Sequence, residues 1–113
     1  GQGSLFHPSF AGVSLGLLHG SQPDKFIVCH EPTRTNMRGV ENKLPDISEV
    51  ISKTSELGKL TNPNIECVGI ALNTSNMSNG SEDLKKEISD QYSIPCLDPL
   101  KDDLSDFINL IKK

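Results

Sequence analysis

"IECVGIALNTS", residues 65–75, is a short apolar, β-branched run that stops abruptly at Asn73, Thr74 and Ser75. A strand with one wet face would alternate apolar and polar residues. This run is continuous and too short for a typical helix, which predicts a strand over residues 65–72 covered on both faces, as in a parallel sheet. Upstream, "KFIVCH", residues 25–30, follows the turn "SQPD" and reads as a second such strand. Downstream, "IPCLD", residues 94–98, reads as a third.

Helical signals fill the gaps between these strands. Pro8 suits the first position of a helix and Gly20 its end, over residues 8–20. The faces of this segment are nearly all small or apolar, with Gly12, Gly16 and Gly20 four residues apart, so the helix is expected to be buried on several sides. The repeat resembles a membrane dimer motif, but the apolar stretch is too short to span a bilayer. Over residues 44–60, Asp46 and Glu49 form a capping pair, and Ile47, Val50, Ile51, Leu57 and Leu60 give one apolar face. A third helix is expected over residues 82–91, capped by Ser81. A fourth closes the chain over residues 102–113, its acids at the start and lysines at the end matching the helix dipole. Alternation of this kind implies an α/β, three-layer parallel-sheet domain of three strands and about four helices, with right-handed crossovers. Three strands are few for a covered parallel sheet, so further strands are expected upstream.

Composition narrows the function classes. The chain has 113 residues, enough for one domain, with 4% aromatic residues and no Trp. Single-stranded nucleic-acid binding relies on stacked aromatics in a basic groove, and a net charge of −4 argues against nucleic acid generally. Cys29, Cys67 and Cys96 are an odd, widely spaced set with no Cys-x-x-Cys pair, which argues against a disulfide framework or zinc ribbon. All three fall in the expected strands and read as small buried hydrophobes of a reducing compartment. No secretory signal or membrane segment is visible, so a cytoplasmic location is expected. The start "GQGSLFHP", without Met, reads as a piece of a larger protein.

In open parallel sheets, ligands bind beyond the carboxyl ends of the strands. Each expected strand ends in polar groups there: the first in His30, Glu31, Thr33, Arg34 and Thr35, the second in Asn73 and Thr74, the third in Asp98. Arg34 and Arg38 are the chain's two arginines. If their loop forms a helical turn, both forks share one face and could clamp a carboxylate or phosphate; otherwise they bridge Glu31 or Glu41. His30 is either a strand-end imidazole satisfied by backbone or an acid/base group. No metal-ligand spacing links His7, His19 or His30 to partners, so no metal is expected. Neither a Gly-x-Ser-x-Gly elbow nor a Gly-x-x-x-x-Gly-Lys-Ser/Thr loop occurs.

Four stretches in order, "GQGSLFHPSFAGVSLGLLHGSQPD", "VCHEPTRTNMRG", "LTNPNIECVGIALNTS" and "IPCLDPL", resemble the C-terminal P-loop NTPase-like domain of a two-domain family. That family was long of unknown function and includes D-glutamate N-acetyltransferases; its N-terminal domain is Rossmann-like. The resemblance implies that the chain is the C-terminal part of a P-loop-like domain lacking the Walker A loop and first strands. It places Gln2, Gly3 and Ser4 where the loop after a Walker B strand approaches phosphate or metal, and Asn73 and Thr74 near a nucleotide base or its equivalent in an acyl-CoA. Asp98, ending the next strand on the same edge, is expected to bind the nucleotide or CoA with them, and Thr33 and Thr35 a substrate or phosphate group. The expected function of the intact protein is acetyl transfer from acetyl-CoA to D-glutamate or a similar D-amino acid, with His30 or Glu31 as base and Arg34 and Arg38 holding anions. The chain by itself is expected to be inactive. The alternatives are an ATP-dependent kinase or ligase of the dethiobiotin-synthetase-like group, or a non-catalytic module that associates as a homo-oligomer or through an exposed sheet edge.

Overall fold

A computed structural model describes residues 4–37 and 39–112. Gln2, Gly3 and Arg38 lie outside the described residues. Three parallel strands, β1 (Lys25–His30), β2 (Glu66–Leu72) and β3 (Cys96–Leu97), form one sheet in the order β1-β2-β3. Four helices alternate with them: α1 (Ala11–Ser21), α2 (Ile47–Gly58), α3 (Ser81–Tyr92) and α4 (Ser105–Lys112). A 3-10 turn over Ser4–Phe6 precedes α1.

The helices lie on both faces of the sheet. Val28, Ile70 and Leu72 form a core with Ile47 of α2 and Ile88 of α3, and Val50, Ile51, Leu84 and Tyr92 pack around it. Successive strand residues face opposite sides, so Gly69 looks away from Ile70. There the Phe107 ring of α4 presses so close that a Cβ on Gly69 would stand 2.6 Å from it. Glycine at that point of β2 lets α4 reach the sheet.

Local chemistry sets the boundaries. Asp46 caps α2, its carboxylate accepting from the Glu49 N–H at 2.9 Å, as the sequence suggests. The start of α3 differs: Gly80, in the left-handed region at φ 75°, occupies the cap and Ser81 is already helical. A conformation open to glycine replaces the expected serine cap. Asn62 ties the α2–β2 connection to the α1–β1 connection, donating to the Gln22 and Pro23 carbonyls and to Asp24.

Helix α1 departs most from expectation. It starts at Ala11, leaving Pro8 in the preceding turn, and has no buried residue. Val13 is 71% and Leu17 72% exposed, beside a half-exposed Phe10. Its attachment runs through Leu18, against Gly58, and through His19 Nε2, which donates to the Leu57 carbonyl at 2.7 Å. The cysteines also divide: Cys96 is buried and Cys67 half-buried, but Cys29 is exposed rather than the small core residue expected. It lies on the edge strand, on the face opposite Val28, where no described helix covers it. No helix among the described residues is long and apolar enough to cross a membrane.

A candidate site at the carboxyl edge of the sheet

The parallel register brings the three strand ends to one edge. His30 lies opposite Leu72, and the Asn73 N–H donates to the His30 carbonyl at 2.8 Å. A hollow of about 280 Å³ opens there. Its lining is Cys29, His30 and Glu31 from the end of β1, Ala71 and Asn73 from β2, and Asp98, Pro99 and Leu100 beyond β3. Of the residues singled out in the sequence, the structure thus gathers His30, Glu31, Asn73 and Asp98.

Glu31 organises the first loop. Its carboxylate accepts from Asn76 Nδ2 at 2.9 Å and Thr33 Oγ1 at 3.3 Å, and Arg34 Nη2 stands 3.5 Å away. Asn76, which sequence reading missed, thereby links the loops after β1 and β2. Burial holds the His30 pKa below its usual value, with the Glu31 charge opposing part of that shift. The imidazole is therefore neutral at pH 7 and able to accept a proton.

The arginine loop is not a helical turn. After a turn in which the Arg34 N–H donates to the Glu31 carbonyl, the chain forms a short antiparallel pairing. Leu44 N–H donates to the Thr35 carbonyl and Met37 N–H to the Asn42 carbonyl, with Asn36 bridged to Lys43. Residues 34–37 are therefore not helical, and Arg34 bridges Glu31, the other arrangement open at the outset. Thr33 and Thr35 are exposed on this loop. Ser4 opens the 3-10 turn before α1.

Thr74 and Asp98, each 1% exposed, turn inward and join the ends of β2 and β3. The Thr74 hydroxyl donates to Asp98 Oδ2 in a short bond, and the Thr74 N–H donates to the same oxygen at 3.3 Å. Asp98 Oδ1 accepts from the Leu100 N–H at 2.9 Å, and Lys101 Nζ donates to Thr74 Oγ1 at 3.0 Å. Burial pushes the Asp98 pKa up, but the hydrogen bonds from Thr74 and Leu100, with the nearby Lys101 charge, outweigh it and hold the carboxyl below the usual range.

Behind this pair stands a buried lysine. Lys85 of α3 donates to Glu82 and to Asp102 Oδ2, both at 2.7 Å, and Asp102 in turn accepts from the Asp98 N–H at 2.8 Å. Burial would lower the Lys85 pKa; its two carboxylates prevail and raise it. Sequence reading missed Lys85. The available signal was its place on the same α3 stripe as Ser81, Ile88 and Tyr92, where a lysine must find partners. Among the described residues, no group of three or more His, Cys, Asp or Glu is placed to hold a metal ion.

The chain is similar to known proteins in sequence and in fold. Over 96% of this chain, a protein of Pseudoalteromonas sp named D-glutamate N-acetyltransferase is 48% identical. A D-glutamate N-acetyltransferase of Tritonibacter scottomollicae is 41% identical over 89% of the chain. The chain spans 33% and 31% of the length of these two relatives. The crystal structure of a DUF1611 family protein from Anabaena variabilis superposes with a TM-score of 0.83 at 25% identity, over 99% of this chain and 34% of that one. Residues 1–108 match the family described as "Domain of unknown function (DUF1611_C) P-loop domain", and the chain belongs to that family.

Proposed function

We propose that the intact protein transfers the acetyl group of acetyl-CoA to the amine of D-glutamate, this chain supplying the strand-end part of the site. The observation that carries the reading is the 48% identity with a D-glutamate N-acetyltransferase across nearly the whole chain. The chemistry at the edge of the sheet suits it. An ammonium must lose a proton before its nitrogen can attack a thioester carbonyl and expel the CoA thiolate. An imidazole that burial keeps in its neutral form can take that proton, so His30 is the candidate base. Glu31 is oriented by Asn76, Thr33 and Arg34 and is the candidate group that positions the loop.

Arg34, half-exposed beside Glu31, would bind a substrate carboxylate or a cofactor phosphate. Asn73, exposed on the rim of the hollow, would meet the nucleotide end of the acyl-CoA. Acetyl-CoA use fits a cytoplasmic enzyme. The outer edge of β1, unpaired in the described sheet, would accept a strand from elsewhere in the protein or from a second copy. The P-loop description of the family favours ATP as the alternative ligand of the Asn73 edge, in a kinase or ligase reaction.

The test is acetyl-CoA consumption by the full-length protein with D-glutamate, with L-glutamate and ATP as controls. Wild type is expected to consume acetyl-CoA only when the D-isomer is present. Arg34→Ala should raise the KM of one anionic substrate by roughly tenfold or more, the scale of a lost charge-assisted hydrogen bond. Undiminished activity in Arg34→Ala removes this residue from binding, and D-glutamate-independent ATP hydrolysis replaces the acetyl-transfer reading with the kinase or ligase one.

A further inference from the structure

Two lysines meet the carboxylates behind the strand ends, and they are used differently. Lys85 is 7% exposed and contacts two carboxylates at 2.7 Å, so its charge is matched within the fold. The Lys101 side chain is 55% exposed, and its neighbouring carboxylate oxygen, Asp98 Oδ2, lies at 4.0 Å. That oxygen already accepts the hydroxyl and the N–H of Thr74. The hydrogen bond that Lys101 does make is to a neutral acceptor, Thr74 Oγ1, at 3.0 Å. The backbone beneath is fixed, because the Lys101 and Asp102 N–H groups both donate to the Asp98 carbonyl, at 3.1 and 2.8 Å. A flexible side chain is thus held at the carboxyl edge by the Thr74 hydroxyl, its charge met among the described residues by a single carboxylate oxygen at 4.0 Å, that of Asp98, which lines the hollow.

We propose that Lys101 is a second cation of the site and binds an oxyanion of the ligand, a carboxylate or a phosphate, with Thr74 and Asp98 as its positioning residues. The proposal rests on the acetyl-transfer reading for the identity of the ligands. D-glutamate brings two carboxylates and acetyl-CoA several phosphate charges, while Arg34 is already partly committed to Glu31 at 3.5 Å. An ammonium acts as a point charge, so it suits an oxyanion that the arginine fork does not hold in two-point fashion.

The experiment compares wild type, Lys101→Met and Lys101→Arg in the full-length protein, reading KM for D-glutamate and for acetyl-CoA separately alongside the thermal midpoint. Lys101→Met should raise one of the two KM values roughly tenfold and leave the other within about twofold, with the midpoint little changed; Lys101→Arg should recover part of the loss. A rise in the D-glutamate KM identifies a carboxylate, and a rise in the acetyl-CoA KM a phosphate. Both KM values unchanged, or a lowered midpoint with parallel losses that arginine does not recover, overturns the proposal. Calorimetry with acetyl-CoA, ATP and D-glutamate on the same variants separates the two readings. A wild type that binds one of these without turnover defeats acetyl transfer, and Lys101 is then upheld by a tenfold weaker Kd in Lys101→Met or refuted by an equal one. A wild type that binds none of the three defeats both.

Discussion

The Thr74 hydroxyl donates to Asp98 and accepts from Lys101, so one side chain serves both the buried carboxylate and the exposed ammonium. Valine at position 74 keeps the volume and removes the hydroxyl, leaving Asp98 Oδ2 with the backbone N–H alone. Thr74→Val should therefore cost about 1–3 kcal/mol in urea unfolding, the range for a buried acceptor deprived of its partner. Thr74→Ser should stay within about 1 kcal/mol of wild type. Equal midpoints for valine and threonine would show that the hydroxyl contributes nothing. At Glu31 the readout is electrostatic. Its charge raises the His30 pKa against the larger lowering by burial, so Glu31→Gln removes the opposing contribution. The His30 titration followed by NMR should move to lower pH in that variant; a move upward would mean that the Glu31 charge does not act on the ring.

Elements meet where the sequence made room for them. The buried Phe107 occupies the space that a side chain at Gly69 would need, with ring atoms 2.6 and 2.9 Å from an ideal Cβ. Gly69→Ala should destabilise the chain by about 1–3 kcal/mol through overpacking. Adding Phe107→Leu, whose side chain lacks the ring, should return part of that loss, a coupling that a double-mutant cycle in urea measures. Additive losses would place the strain elsewhere. This pairing was hidden in the sequence, because "CVGIAL" marks a strand without marking which helix needs the gap. The strands themselves were legible: "KFIVCH" matches β1 residue for residue, and the second strand differs by one position at its start. Apolar runs of that length have few other ways to be covered.

At the scale of the whole molecule, what the sequence conveyed depended on whether the deciding contacts were local. The carboxyl edge was legible because a parallel sheet must gather its strand ends, and His30, Glu31, Asn73 and Asp98 do line one hollow. The conformation after Arg34 was not, because a four-residue spacing carries meaning only within a helix, and residues 35–37 pair with residues 42–44 as extended chain. Helix α1 reads as buried on several sides but exposes Val13 and Leu17, since composition registers a need for cover without supplying it. The inward turn of Thr74 and Asp98 and the pairing of Lys85 with Asp102 depend on groups 17 to 27 residues apart, which no local spacing announces.

That long-range network governs how stability responds to pH. Hydrogen bonds from Lys85 and from the Asp98 N–H hold the Asp102 pKa low, and the Asp98 pKa is low as well, because the bonds it accepts outweigh its burial. Their stabilisation is fully present above the unfolded value of about 3.9 and is lost as pH falls through the lower folded values. His30, lowered by burial, begins the decline below about pH 6.5, because the unfolded chain takes up that proton first. Lys85 has the opposite sign: burial lowers its pKa, the two carboxylates raise it further, and its contribution is complete below about 10.4 and fades as pH rises through the folded value. The thermal midpoint should therefore form a plateau across neutral pH with an acid and an alkaline limb. Asp102→Asn removes a titrating carboxylate from the first limb and a Lys85 partner from the second, so both limbs should flatten as the plateau falls. The acid limb persists in part through Asp46 and Asp103, which the N–H and hydroxyl groups of their helix starts also hold low. Limbs of unchanged steepness in Asp102→Asn would show that the Lys85–Asp102–Asp98 chain does not carry the pH dependence.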